Sequence, residues 1–277
     1  MLRAMNLEDH LGDILRKGRW HASVSLETAA AAAGLAPAEL DTLENDGVLR
    51  RSLDFARVGQ LLHLHPVKLE QIARGWLPSP PDLGRWRELR PILSRGGGFP
   101  VNCYLIWDEV TCEAALFDTG FDPEPVFQLI DAYHLLLRHV FVTHGHHDHV
   151  AAVAQVRARF PKVRLHSGSP QAPVELRNRP NECLPLGSLR ITHRDTPGHA
   201  DDGVTYIAGN WPEDAPAVAF VGDALFAGSM GKAPGNARLA REKIVGQLLS
   251  LPPDTLLCPG HGPLTTVAEE KAHNPFF

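Results

Sequence analysis

The stretch that most constrains this chain is Thr143-His144-Gly145-His146-His147-Asp148-His149. It follows an apolar run, Leu135 to Val142, and precedes a helix-like segment, Val150 to Gln155-Val156. Imidazoles and a carboxylate are thereby crowded into a turn between a buried strand and a helix. A strand end is a rigid place to fix ligand-type side chains, and a turn lets several of them converge. Few folds tolerate such density without a shared partner for the side chains.

Ligand-type residues recur at three later turns. Pro197-Gly198-His199 follows a strand pattern ending near Thr192. Gly222-Asp223 follows Phe220-Val221, and Pro259-Gly260-His261 follows Leu256-Leu257-Cys258. Each apolar run delivers one His or Asp beside a glycine, which permits close backbone approach around a crowded centre. Imidazole and carboxylate donors suit zinc, and also iron or manganese.

The rest of the chain narrows the class. A net charge of -5 over 277 residues argues against a general nucleic-acid or anionic-membrane binder. No apolar run approaches the roughly 18–20 residues of a bilayer span. Acidic residues at Glu8, Asp9 and Asp13, and no signal-peptide core, lead us to expect a cytoplasmic protein. Cys103, Cys112, Cys183 and Cys258 form no CxxC pair, which suits free thiols in a reducing compartment.

Residues 1–77 read as all-helical, and a Pro-rich linker at 78–83 leads into a catalytic region at 84–277. Two segments in the helical region look alike: Gly34 to Leu43 and His63 to Ile72. In each a proline opens a helix at its first turn, Pro37 and Pro66, and apolar residues follow at helical spacing. Ser25 is the expected N-cap of the preceding helix, with Gly47 and Gly75 as stops. The segment Ser25 to Gly47 resembles the helix-turn-helix of phage-repressor-type DNA-binding domains. Residues 1–80, however, carry nine basic side chains against ten acidic ones, so nucleic-acid binding is not expected. A cover for the catalytic region, or a homodimer contact through these helices, is the simpler expectation.

Beyond the linker the spacing predicts strands at 102–107, 114–118, 140–142, 163–166, 189–192, 205–208, 217–221 and 255–258. Helices are predicted at 125–137, 150–160 and 238–249. Strands alternating with helices suggest an α/β fold of two sheets covered by helices.

The order His144-x-His146-x-Asp148-His149, then His199, Asp223 and His261, resembles the metallo-β-lactamase superfamily. Val221 to Lys232, Leu251 to Thr255, Pro259 to Thr266 and Glu270 to Phe276 resemble its short hydroxyacylglutathione hydrolase (glyoxalase II)-like branch. The resemblance implies an αβ/βα sandwich of two mixed sheets flanked by helices, here with an all-α N-terminal region. It implies two divalent metal ions, zinc first and iron or manganese next. His144, His146 and His199 would hold one, Asp148, His149 and His261 the other, and Asp223 would bridge them. A hydroxide shared between the ions would attack a small acyl thioester, with Asp148 orienting it and taking its proton. Phe226 stands where lactonases of the superfamily tend to carry Tyr, which favours a thioester over a lactone. Lys232 stands where glutathione-binding relatives carry a basic residue.

Several departures accompany the resemblance. His199 is followed by Ala200-Asp201-Asp202-Gly203, Lys232 by Ala233-Pro234-Gly235-Asn236, and the chain ends at Phe277. They separate the metal site from any commitment to glutathione. Lactone hydrolysis and mononuclear-iron persulfide oxidation are the alternatives on the same scaffold, and a DNA-binding ligand sensor is a third reading. His166, ending a strand near the site, is a candidate substrate contact. His147 is expected to point away from the ligands.

Overall fold

The computed structural model describes residues 6–277. Two mixed sheets lie face to face. The first has the order β1-β2-β3-β4-β5, from strands Leu89–Gly96, Phe99–Trp107, Glu113–Phe117, Leu136–Val142 and Arg164–Ser167. The second contains β6 (Leu184–Leu186), β7 (Leu189–Asp195), β8 (Val204–Gly209), β9 (Val218–Gly222), β12 (Leu256–Pro259) and β13 (Thr265–Thr266). Its order is β13-β12-β9-β8-β7-β6. A two-residue ribbon, β10 (Leu225–Phe226) with β11 (Ser229–Met230), follows β9.

Strand alternation explains the layers. In β9, Val218 and Phe220 point between the sheets, while Ala219 and Val221 point to the outer face. The inter-sheet core is aromatic: Phe117 stacks on Phe141 with ring centroids 5.1 Å apart, and Tyr104, Tyr206 and Phe220 surround them. The outer face of the first sheet is covered by α6 (Glu124–Ala132) and α8 (Val153–Arg159), through Val126, Ile130 and Val156.

The outer face of the second sheet is covered by α9 (Ala237–Lys243), α10 (Val267–His273) and the N-terminal helices. These are α1 (Leu11–His21), α2 (Leu26–Ala33), α3 (Pro37–Asp46), α4 (Phe55–Leu62) and α5 (Pro66–Ala73). Ile14, Leu15, Leu40, Val58 and Leu69 share one core with Ala219, Val221 and Leu257. Ser25 caps α2 by accepting from the Thr28 N–H, and Gly47 ends α3 with φ +70°. Among the described residues no helix is long and apolar enough to cross a membrane, and the four cysteines are unpaired.

Several elements differ from the sequence reading. The helix expected over 125–137 ends at Ala132. Leu136 and Leu137 already belong to β4, which pairs in parallel with β3, so they serve strand pairing rather than a helix face. The expected helix 238–249 changes at Ile244 into a π-helical turn through Leu248. Strand β1 was not anticipated: Pro91 and the glycines at its end mask it, and its place at the sheet edge tolerates them.

Candidate metal centre

The turns after β4, β7, β9 and β12 meet at one edge of the sandwich. β4 ends at Val142. His144 follows, His146 precedes a single helical turn, α7 (His147–Val150), and that turn carries Asp148 and His149. Asp223 and His261 leave the adjacent parallel strands β9 and β12, joined where the Gly260 N–H donates to the Gly222 carbonyl at 2.9 Å. Two glycines make the approach possible. Gly222 has φ +51°, and a Cβ there would lie 2.4 Å from Thr143 Oγ1. A Cβ on Gly260 would lie 2.3 Å from Asp223 Oδ1.

Two groups of ligand atoms result. His144, His146, His199 and Asp223 each bring one within 4.8 Å of the others, and so do Asp148, His149 and His261. His146 Nδ1 lies 3.0 Å from both His144 Nε2 and His199 Nε2. His261 Nε2 lies 3.1 Å from Asp148 Oδ2. Asp223 faces both groups: its Oδ2 is 3.5 Å from His199 Nε2 and 3.6 Å from His261 Nε2, and its Oδ1 is 3.4 Å from His149 Nε2.

The donor set fits divalent cations. His149 Nε2 and Asp223 Oδ1 are fully buried, and neither has a hydrogen-bond partner among the described residues. Buried polar atoms are otherwise nearly always partnered. An aligned imidazole nitrogen and carboxylate oxygen without partners are what a cation site leaves behind.

The opposite ring nitrogens of His144, His149, His199 and His261 are engaged, which fixes the orientation of these four rings. His149 Nδ1 is 2.7 Å from Asp118 Oδ2, and His144 Nδ1 is 3.1 Å from Thr143 Oγ1. His199 Nδ1 donates to the Lys232 carbonyl at 2.9 Å, and His261 Nδ1 to the Pro100 carbonyl at 2.8 Å. Asp118 further accepts from the Thr143 N–H and hydroxyl, at 2.8 and 2.7 Å. Asp118 escaped the sequence reading, although Phe117-Asp118-Thr119-Gly120 repeats the pattern of a strand followed by an acid near a glycine.

Lys232 and His166 lie elsewhere than the sequence suggested. The exposed Lys232 ammonium sits over the Trp20 ring, 5.7 Å from its centroid, and the residue meets the centre through its carbonyl. His166 is buried, stacked on Phe141 at 4.5 Å and 2.9 Å from His139 Nδ1. It is part of the sheet's packing and not of the groove around His146 and His199, which Gly145, Ser169, Gln171, Asp201, Asp202 and Asn236 border. His147 is exposed, its ring edge-on to Phe121.

The charges are arranged unevenly. Burial, with His149 close by, pushes His144 down to about 2 and keeps it neutral. Burial also lowers His199. For His149 burial acts the same way, but the Asp118 and Asp223 carboxylates outweigh it and hold its pKa well above the usual histidine value. Burial opposes ionisation of Asp223, yet the close approach of His149, with the charges of His261 and His144, keeps it far below the usual carboxylate range.

A family model described as the metallo-beta-lactamase superfamily matches residues 96–173, downstream of α1–α5. Hydroxyacylglutathione hydrolase GloC of Haemophilus influenzae is 32% identical over 203 residues, covering 64% of this chain and 93% of that protein. The chain belongs to the metallo-β-lactamase superfamily. Two solved structures of similar fold agree. ETHE1 from Myxococcus xanthus is 31% identical with a TM-score of 0.59, covering 68% of this chain and 83% of that one. TTHA1623, in a di-iron-bound form, is 31% identical with a TM-score of 0.50, covering 68% of this chain and all of that one, 100%. The superfamily binds divalent metals, and the chain is a metallohydrolase of that superfamily.

Proposed function

We propose that the chain is a dinuclear hydrolase of small acyl thioesters. His144, His146 and His199 would hold one divalent ion, and Asp148, His149 and His261 a second, with the Asp223 carboxylate between them. The observation that carries the reading is that Asp223 faces both groups, with Oδ1 buried and unpartnered. Zinc fits the nitrogen-rich donor set first. Ions held by these residues would supply Lewis acidity towards an acyl carbonyl and would lower the pKa of a water towards neutrality.

The protein's own residues supply the rest. Asp148, partly open and hydrogen-bonded to His261, stays ionised and would accept a proton from the attacking water. Burial alone would raise its pKa, and the His261 hydrogen bond overcomes this. Phe226, buried edge-on to His261 with ring centroids 6.0 Å apart, offers no acidic hydroxyl to a departing group. A thiolate, with a thiol pKa of about 8.5, leaves without one, whereas an alkoxide or amine wants a proton. The 32% identity to GloC supports the same substrate class.

A reaction at iron is the second reading. His144, His146, His199 and Asp223 converge as imidazoles and a carboxylate, donors that also suit one iron. Asp223→Ala tests the proposal: the variant is expected to retain neither metal group's occupancy nor thioester hydrolysis. Full activity in a folded variant would contradict the ligand assignment.

A further inference from the structure

The segment before α1 reaches the metal centre. Asp9 is buried, ion-paired to the buried Lys17 ammonium, and accepts from the Ser229 hydroxyl. Lys17 Nζ also donates to the Met230 carbonyl at 2.8 Å and lies 5.1 Å from the centroid of Phe226, the ring beside His261. Leu7 packs into the core shared by the N-terminal helices and the second sheet. These contacts fix residues 7–9 to the β10–β11 ribbon that follows Asp223.

Glu8 lies between these two anchors, against the residue after His261. Gly262 has φ +75°, and a Cβ there would come within 3.0 Å of the Glu8 nitrogen and 3.1 Å of its Cβ. The Glu8 side chain is exposed into a cleft of about 440 Å³ whose other walls include Leu93, Pro100, Asn102 and Pro263. Among the described residues its carboxyl has no ion-pair or hydrogen-bond partner. It is close enough to the centre for His261 and Asp223 to act on it. Crowding by protein raises its pKa, His261 pulls it down, and Asp9 and Asp223 push it up. Lys17, which also acts on it, is committed to Asp9. Asp201 and Asp202 border the groove on the His146 and His199 side.

We propose that Glu8 is a specificity-determining residue of this metal centre, selecting substrates that bring a cationic or N–H-donating group and disfavouring anionic ones. The proposal rests on the thioester-hydrolase reading and adds its substrate charge. A carboxylate whose backbone is anchored beside Gly262, the residue after His261, attracts a cation and repels an anion, and in a cleft of intermediate dielectric each effect reaches about tenfold.

The test uses the full, metal-loaded chain at pH 8. Small thioesters carrying trimethylammonium or sulfonate, at either the acyl or the thiol end, are compared with their neutral parent by free-thiol release. Wild type is expected to prefer cationic over anionic substrate. Glu8→Gln is expected to reduce that preference about tenfold and Glu8→Lys to reverse it, each read as the cationic-to-anionic ratio of kcat/KM within the same variant. A cationic-to-anionic ratio unchanged within twofold in both variants, for charge at either end, overturns the proposal. Binding gives an independent readout: calorimetric Kd values for thiocholine and 2-mercaptoethanesulfonate should shift in the same sense. If no thioester is cleaved, the thioesterase reading fails, and these Kd values alone decide the role of Glu8.

Discussion

Asp118→Asn isolates the contribution of a residue that touches no metal. Asp118 accepts from the Thr143 N–H on Oδ1, and from the Thr143 hydroxyl and His149 Nδ1 on Oδ2. For His149 Nε2 to act as a ligand, the ring proton must sit on Nδ1, where Asp118 receives it. Asparagine presents one acceptor and one donor. With its NH2 turned to His149 and the Thr143 hydroxyl, donor faces donor; turned the other way, it opposes the Thr143 N–H. The first orientation disfavours the ligating tautomer, and the second leaves the Thr143 N–H unpaired and gives His149 a neutral acceptor in place of a carboxylate. Loss of such a partner lowers metal affinity about 10- to 100-fold, roughly 1.4–2.7 kcal/mol. The loss should fall on the Asp148, His149 and His261 group. The assay is competition with a chromophoric chelator, plus metal content after dialysis, at a temperature where the variant is folded. We expect occupancy to drop towards one ion per chain. Two retained ions with an unchanged competition curve would refute the argument that Asp118 sets the ring.

Gly260→Ala places a methyl on Asp223 Oδ1 and on His149 Cε1, 2.6 Å away, and should abolish metal retention while circular dichroism stays native-like; unchanged retention would mean that the turn yields freely. Glu270 is fully buried and accepts from the Gly228 N–H, Thr265 and Asn274, yet burial outweighs these bonds and pushes its carboxyl up to about 7. A raised folded-state pKa stabilises below the unfolded value of about 4.5 and is lost as pH rises through 7, on the order of 3 kcal/mol at most. The melting-temperature deficit of Glu270→Gln relative to wild type should therefore shrink between pH 5 and 8, and a constant deficit would contradict it.

The candidate metal centre was legible because each strand end delivers its own His or Asp beside a glycine, and the structure gathers these side chains into two groups. Asp118 was not, because a single acid after a strand has no distinctive spacing. Its role appears only when β3 and β4 pair and set it against Thr143 and His149. Leu135 to Leu137 misled because a short apolar run satisfies a helix face and a buried strand equally. Lys232 was noticed for its ammonium, but its carbonyl holds His199, and a backbone role leaves no trace in residue type. Glu8 was equally silent. A lone glutamate near the start of a helical region means nothing until Leu7 and Asp9 anchor it beside Gly262.

The central claim is that two ions share Asp223 and together hydrolyse a thioester. The most direct measurement is metal content per chain, on the same purified sample that is assayed for free-thiol release, before and after chelation. The account predicts two divalent ions per chain, with release lost on chelation and restored by adding the metal back. One iron per chain, with oxygen uptake and no free thiol, would contradict it.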